Sequence, residues 1–280
     1  MASAKQTAKP DPNFQRVKNT AEMSIDKNYK SQPFWKDVLV RFCKNKGAIF
    51  GAIMILLLVI LALLGPGMNP YEFDNVNIPH QNLAPRIPGL ENAKVFSGAE
   101  NGANKYVDQG LDGVYYWFGT DSLGRDIWTR TWLGTRISLY IALVAVLIDM
   151  VIGISYGLTS SYFGGMVDTL MQRFVEVMNG IPTLIIVTLL MLVLKPGLNS
   201  IIIALMLTGW VGMSRVARAQ MLMLKEREFV LASKTLGTPS FSIIFRDVLP
   251  NIFGQLVTMS MFSIPNAIFS EAFLSFVGLG

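Results

Sequence analysis

The sequence predicts an all-α integral membrane protein that crosses the bilayer several times. Two observations carry this expectation. About half of the 280 residues are apolar and only 15% are charged, with a mean hydropathy of +0.42, whereas a soluble domain carries about a quarter charged residues. The apolar residues also fall into long uncharged blocks, and the basic residues cluster in alternate connections between them, as topology signals do.

Residues 1–46 precede the first apolar block. Up to residue 32 they are rich in Lys, Asn, Ser, Gln and Pro without a helical apolar period, a composition that predicts no packed core. From Gln32 to Lys46 aromatic and basic residues alternate (Phe34, Trp35, Lys36, Arg41, Phe42, Lys44, Lys46), as in an amphipathic segment lying on an anionic leaflet. A cleavable leader would place its apolar region nearer the start, so 1–46 reads as a retained cytoplasmic tail.

Five spans are expected. The first is Gly47–Leu64, eighteen residues without a charge, stopped by Gly65-Pro66-Gly67. The second runs from Ile137 to Ser160 and contains Asp149. The third covers Thr169–Leu194 with Pro182 inside it, the fourth Leu198–Met213, and the fifth Ile252–Val277. Residues 65–130 form a connection dense in Gly and Pro. Loops of that length are seldom structureless unless functional, so a small extracellular lobe is expected there, followed by a helical membrane core over 131–280.

Ten Lys/Arg precede the first span against four acidic residues, 65–130 holds five against eight, and 214–250 holds six Lys/Arg. The positive-inside rule then places the N-terminus and 214–250 in the cytoplasm and 65–130 outside. The net charge of +5 is thus a topology signal and implies no nucleic-acid partner.

The most informative cytoplasmic stretch, 226–250, reads as two short helices. Phe229, Ala232 and Leu236 fall on one face of the first, and Gly237 supplies a left-handed C-terminal position. Thr238 caps the second, Pro239 sits in its first turn, Phe241, Ile244, Phe245 and Val248 form its apolar stripe, and Pro250 ends it. Such a pair between two spans can transmit force from a cytoplasmic partner; an ordinary interfacial loop has the same pattern.

Phe229 to Asn251 resembles the coupling (EAA) loop of bacterial ABC importer permeases. The match includes Ala232, Leu236-Gly237 and Leu249-Pro250-Asn251. The departures are Leu231 in place of the motif's leading Glu, Ser233 at its third position, and Asp247 where many members carry Ile. The resemblance implies docking onto an ATP-binding subunit through Glu228, Ala232, Ser233, Lys234, Leu236, Gly237, Pro239, Leu249 and Pro250, without an ionic role for the missing Glu.

A second stretch, Trp117-Phe118-Gly119-Thr120-Asp121-Ser122-Leu123-Gly124-Arg125-Asp126 followed by Gly134-Thr135-Arg136-Ile137-Ser138-Leu139, resembles the opening of C-type permeases of oligopeptide, dipeptide and nickel importers. On the residues themselves, Asp121 caps a helix starting at Ser122, and Trp128 and Trp132 suit the membrane–water boundary. The signature Gly119, Thr120, Asp121, Gly124, Arg125, Asp126 reads as a capping turn before it reads as a substrate contact. Further echoes are Tyr162 to Asp168, Gly180-Ile181-Pro182 and Glu271 to Gly280. Family members continue into a sixth span, so a further helix is expected beyond Gly280.

Asp149, Asp168, Arg173, Glu176 and Glu271 are ionisable groups in or near spans, where function is the default hypothesis. Asp149 is the most costly, and a Ser, Tyr or backbone group of another helix would satisfy it without a proton relay. Gly47/Gly51 and Gly153/Gly157 have the small-residue spacing of close helix crossings. Met206, Met213, Met221, Met223, Met259 and Met261 read as packing residues. No phosphate-cradling motif occurs. Cys43 and His80 are the only residues of their types; neither a metal cluster nor a catalytic constellation is expected, and His80 reads as a solvated loop residue.

The resemblance implies one permease of an ATP-driven oligopeptide importer. Its partners would be a second, B-type permease, two ATP-binding subunits that hold ATP and Mg, an extracellular substrate-binding protein, the peptide and the lipid, with no cofactor in this chain. Rival readings are a permease for nickel or another small solute, a proton-coupled secondary transporter, which would need paired intramembrane charges and an internal repeat, and a membrane-anchored sensor.

Overall fold

The computed structural model describes residues 34–100, 102–194 and 197–278. The tail expected over 1–32 lies outside them, as do Lys195 and Pro196. Among the described residues the chain is helical, with isolated bridges and no strand.

The chain divides at Leu56 into two units. In the first, the backbone is helical over α1 (Phe34–Lys44). Asn45 then caps α2 (Lys46–Leu64), its Oδ1 accepting from Ala48 N at 3.2 Å.

In the second unit the end of α2 runs into a 3-10 turn at Gly65–Gly67, where glycine and proline stop the helix as expected. Arg136 reaches this end, its Nε donating to Ala62 O (3.0 Å) and Nη2 to Leu63 O (2.9 Å), so a cation meets unsatisfied C-terminal carbonyls. The Trp128 indole donates to Gly65 O at 2.8 Å, and Trp117, Phe118 and Trp132 pack edge-on around Trp128.

Residues 68–126, with one short helix α3 (Lys105–Asp108) among them, fold into a small lobe whose core is Leu83, Tyr106 and Tyr116, supported by Tyr71, Leu111 and Val114. Tyr71 stacks on Tyr116 at 4.3 Å. Burial pushes the Tyr116 phenol up to about 12. His80 differs from the expected solvated residue: its Nδ1 lies 2.8 Å from the Tyr116 hydroxyl and 2.9 Å from Asn77 Nδ2, which ties the loop to the core.

The signature residues assemble the joint between this lobe and α4 (Ile127–Ile148). Thr120 donates to His80 O (2.5 Å) and accepts from Leu83 N (2.9 Å). Gly124 has φ 74°, and an added Cβ would lie 1.7 Å from Asn77 O; only glycine lets these backbones pass. Asp121 does not cap a helix, as its sequence context suggested. It closes the turn, with Oδ1 accepting from Leu123 N and Arg125 N (both 2.9 Å) and Oδ2 pairing with Arg125. The cap is Asp126, whose Oδ2 accepts from Thr129 N at 2.8 Å and from Asn69 Nδ2 at 2.7 Å.

Burial alone would push the Asp121 carboxyl up, but the Arg125 and Leu123 amides and the Arg125 guanidinium outweigh it and hold the carboxyl below its ordinary range. Its contribution to stability is therefore complete above the range of the unfolded carboxyl and is lost as pH falls through the depressed folded value. Asp121→Asn is expected to cost about 1 kcal/mol at neutral pH, given the partial exposure, and to flatten the acid limb of the stability curve. Thermal unfolding from pH 7 downward checks this; an unchanged acid limb would refute it.

Four rods in this unit bury a common core. α4 continues through a π turn (Asp149–Gly153) into α5 (Ile154–Phe163). α6 (Gly165–Gly180) and α7 (Thr183–Leu194) meet at a 77° bend, with Ile181 extended before Pro182. α8 (Leu198–Thr208) and α9 (Val211–Leu224) form one rod of 27 residues. After α10 (Glu228–Thr235), α11 (Ser240–Ser242) leads through a π segment (Ile243–Val248) into α12 (Leu249–Ser260) and α13 (Ser263–Phe276). The chain thus holds four helices long and apolar enough to cross a membrane among the described residues, or five with the bent pair as one span.

Ile141, Ala145, Val187, Ile201, Ala204, Ala267 and Leu274 fill one core between α4, α7, α8 and α13. Gly153 and Gly157 are a true close crossing: a Cβ on Gly157 would lie 2.1 Å from Ser214 O, and one on Gly153 2.7 Å from Met213 Cβ. Gly51 has nothing within 4 Å of such a Cβ, so spacing alone did not distinguish the two pairs. Of the methionines, Met213 and Met221 are buried, while Met206, Met223, Met259 and Met261 are exposed.

Candidate coupling surface

α10 ends in a Schellman turn. Gly237 N donates to Lys234 O (3.0 Å) and Thr238 N to Ser233 O (3.1 Å), with Gly237 at φ 76°. The left-handed glycine expected from sequence is therefore present. Pro239, in extended backbone, occupies the N-cap position of α11, so Thr238 is not the cap. Pro250 does not end a helix either. It lies in the first turn of α12, directly after the π segment, and the rod Ser240–Phe276 runs through it. A helix interior rejects proline because its ring meets the preceding turn, and a π turn widens the backbone at that place.

The buried side of this loop also differs from expectation. Phe229 and Leu236 are exposed, Leu236 to 85%, and so is Leu231. The inward residue of α10 is Val230, fully buried with Ile243, Ile244 and Val248 among Ile154, Leu158, Met213, Ala217, Met221, Ile252 and Leu256. Ile244 and Val248 were expected on the apolar stripe and are core, whereas Phe241 is 73% exposed and packs on Phe245 at 4.4 Å. Sequence reasoning missed Val230 because apolar residues flank it on both sides, leaving no single-faced period.

The loop is thus clamped to the long helices from within, while Phe229, Leu231, Leu236 and Phe241 remain uncovered with Ala232, Lys234, Gly237 and Pro239 among them. Glu228 and Pro250 are also exposed, and Ser233 and Leu249 are half-buried. Lys234 Nζ lies 4.9 Å from the centre of the Tyr162 ring, a cation–π contact joining α10 to the end of α5.

Beside it, Arg218 of α9 holds Asp168 of α6 through Nε (2.8 Å) and Nη2 (2.5 Å), and Ser160 of α5 donates to the same carboxylate at 2.5 Å. Three helices are fixed at one point by a bidentate pair. Arg218 was legible only as a topology signal, since its partner lies fifty residues away. Arg173 and Glu176 pair with each other at 2.6 Å on the exposed side of α6. Glu271 accepts from Ser138 (3.1 Å) and Ser275 (3.0 Å). Asp149 accepts from Ser263 of α13, a serine partner of the kind expected. Among the described residues no group of His, Cys, Asp and Glu is arranged to hold a metal.

Residues 149–280 match the family model for the binding-protein-dependent transport system inner membrane component, and residues 33–85 match the N-terminal TM domain of oligopeptide transport permease C. The chain is 42% identical over 250 residues to the dipeptide transport system permease protein DppC of Bacillus subtilis, covering 89% of this chain and 70% of that protein. It is 38% identical to the oligopeptide transport system permease protein OppC of the same organism (90% and 73% covered) and 32% identical to OppC of Escherichia coli K12 (90% and 75%). With these matches and its bundle of apolar rods, the chain belongs to the OppC/DppC-like permeases, the inner membrane components of binding-protein-dependent transport systems.

Proposed function

We propose that this subunit forms half of a transmembrane path for oligopeptides in an ATP-binding-cassette importer. It works beside a B-type permease, two ATP-binding subunits that hold and hydrolyse ATP with Mg, and an external binding protein. The names of its relatives support the cargo, and the distribution of basic residues supports a cytoplasmic N-terminus and 226–250 loop with the 68–126 lobe outside. The observation that carries the reading is the opposition within the loop: Val230, Ile243, Ile244 and Val248 are locked into the helix core while Phe229, Leu231, Leu236 and Phe241 stand uncovered. A partner gripping the uncovered side moves the core side with it, because packed interiors transmit displacement. Closure of the ATPase pair then tilts the rods about their interfaces and alternates access to the path.

Cys43 is exposed, so the test begins from Cys43→Ser. Leu236→Cys in that background is expected to crosslink to an ATP-binding subunit, and assembly should block its reaction with a water-soluble maleimide. Free labelling in the assembled complex, with no crosslink, would overturn the assignment.

A further inference from the structure

We propose that Asp149 receives the cationic amino end of the cargo within the membrane. The inference rests on the peptide-permease reading and assigns a residue of the path to one end of the substrate. The π turn Asp149–Gly153 interrupts an otherwise α-helical rod in the middle of its apolar stretch, and such turns concentrate at functional positions. It carries a carboxylate that is 4% exposed. An ionised carboxylate at that depth is costly unless a cation or several donors meet it.

Three other acidic groups, on α6 and α13, are answered within the chain: Asp168 by Arg218 and Ser160, Glu176 by Arg173, Glu271 by two serines. Asp149 has the hydroxyl of Ser263, and among the described residues no Lys, Arg or His pairs with it. A hydroxyl supplies one neutral hydrogen bond and leaves the charge uncompensated.

The carboxylate also borders space. A cavity of about 430 Å³ lies between α4, α7, α8, α9, α12 and α13, lined by Asp149 with Thr183, Thr208, Ser263, Asn266 and Ser270 among apolar neighbours. A Cβ on Gly212, which also borders it, would meet nothing within 4 Å. Its size is that of small-ligand sites. An ammonium has three donors and no acceptor, so it matches a carboxylate with an adjacent hydroxyl oxygen. Hydroxyls and one amide further along the wall suit the peptide groups that follow. Charge-assisted pairing of this kind is stronger than neutral hydrogen bonding, and the same carboxylate disfavours an anionic group at that end.

The test uses the complete importer in vesicles with wild type, Asp149→Asn and Asp149→Glu. Tetra-alanine and N-acetyl-tetra-alanine are presented at equal occupancy of the binding protein, and the ratio of their uptake is measured. Wild type is expected to favour the free amine by about tenfold; Asp149→Asn should bring the ratio to parity by losing the free peptide, and Asp149→Glu should restore part of it. An unchanged ratio would overturn the inference. So would an equal loss of both cargoes, which would mean that the carboxylate serves packing or is answered by a proton or a cation of the second permease. If the wild-type importer moves no peptide while carrying another solute, the peptide reading itself fails, and the inference with it.

Discussion

Gly157→Ala is expected to prevent the subunit from reaching its folded form, although in an exposed helix the same change is stabilising. Alanine is preferred over glycine in helix interiors by about 1 kcal/mol. At Gly157 the new methyl would sit 2.1 Å from Ser214 O and 2.9 Å from both Ala217 Cβ and Arg218 N. Two of these three atoms are backbone, so no side chain can swing aside, and α5 and α9 must separate. That separation opens the core shared by Leu158, Met213, Ala217 and Met221 and pulls Arg218 away from Asp168. Overpacking a core costs about 1–3 kcal/mol where side chains absorb the strain; a backbone clash with a broken ion pair exceeds that. Gly134→Ala is the matched control, since its Cβ meets nothing within 4 Å and should be neutral or slightly stabilising. Size-exclusion profiles and thermal unfolding in mild detergent distinguish the two. Equal behaviour of both variants would show that the close crossing is not what holds α5 to α9.

The same crossing shows where sequence reading stops. Gly153 and Gly157 looked no different from Gly47 and Gly51, because four-residue spacing says that two glycines share a face and nothing of what that face meets. The apolar rods themselves were legible, since uncharged blocks report contact with lipid. Their ends were not. The fourth span was expected to stop at Met213, yet its rod runs to Leu224, because Arg215 and Arg218 end hydrophobicity without ending a helix. Likewise Pro250 is a stop signal only where the preceding turn is α-helical, and here that turn is π-helical. The choice between Asp121 and Asp126 as cap was made by remote partners: Asn69 holds Asp126, while Thr120, pinned to His80 and Leu83, keeps Asp121 in the turn. In the 226–250 loop Gly237 marked the turn that the structure contains. Which apolar side faced inward was set by the cavity between α5, α9 and α12 that Val230 fills, a property of the assembled bundle.

Gly237→Pro should abolish peptide uptake while leaving the subunit folded in its complex. Proline holds φ near −65° and has no N–H, whereas Gly237 has φ 76° and donates to Lys234 O at 3.0 Å. The Schellman turn therefore cannot form, and the angle between α10 and α11 is lost. The damage is local: Gly237 is exposed, with nothing within 4 Å of its Cβ position. The anchors on either side, Val230 and Ile243, lie in a core that does not contain it. What changes is the placement of Leu236 and Phe241, the uncovered groups flanking the turn, relative to those anchors. Gly237→Ala provides a graded comparison. It keeps the N–H and costs about 1 kcal/mol for the left-handed conformation, so uptake should fall only in part. A sequence loop that merely rested on lipid would tolerate both variants, since neither removes apolar surface. Uptake per assembled complex, measured beside the yield of that complex, separates a broken lever from a missing subunit, and normal uptake by Gly237→Pro would mean that force enters the bundle elsewhere.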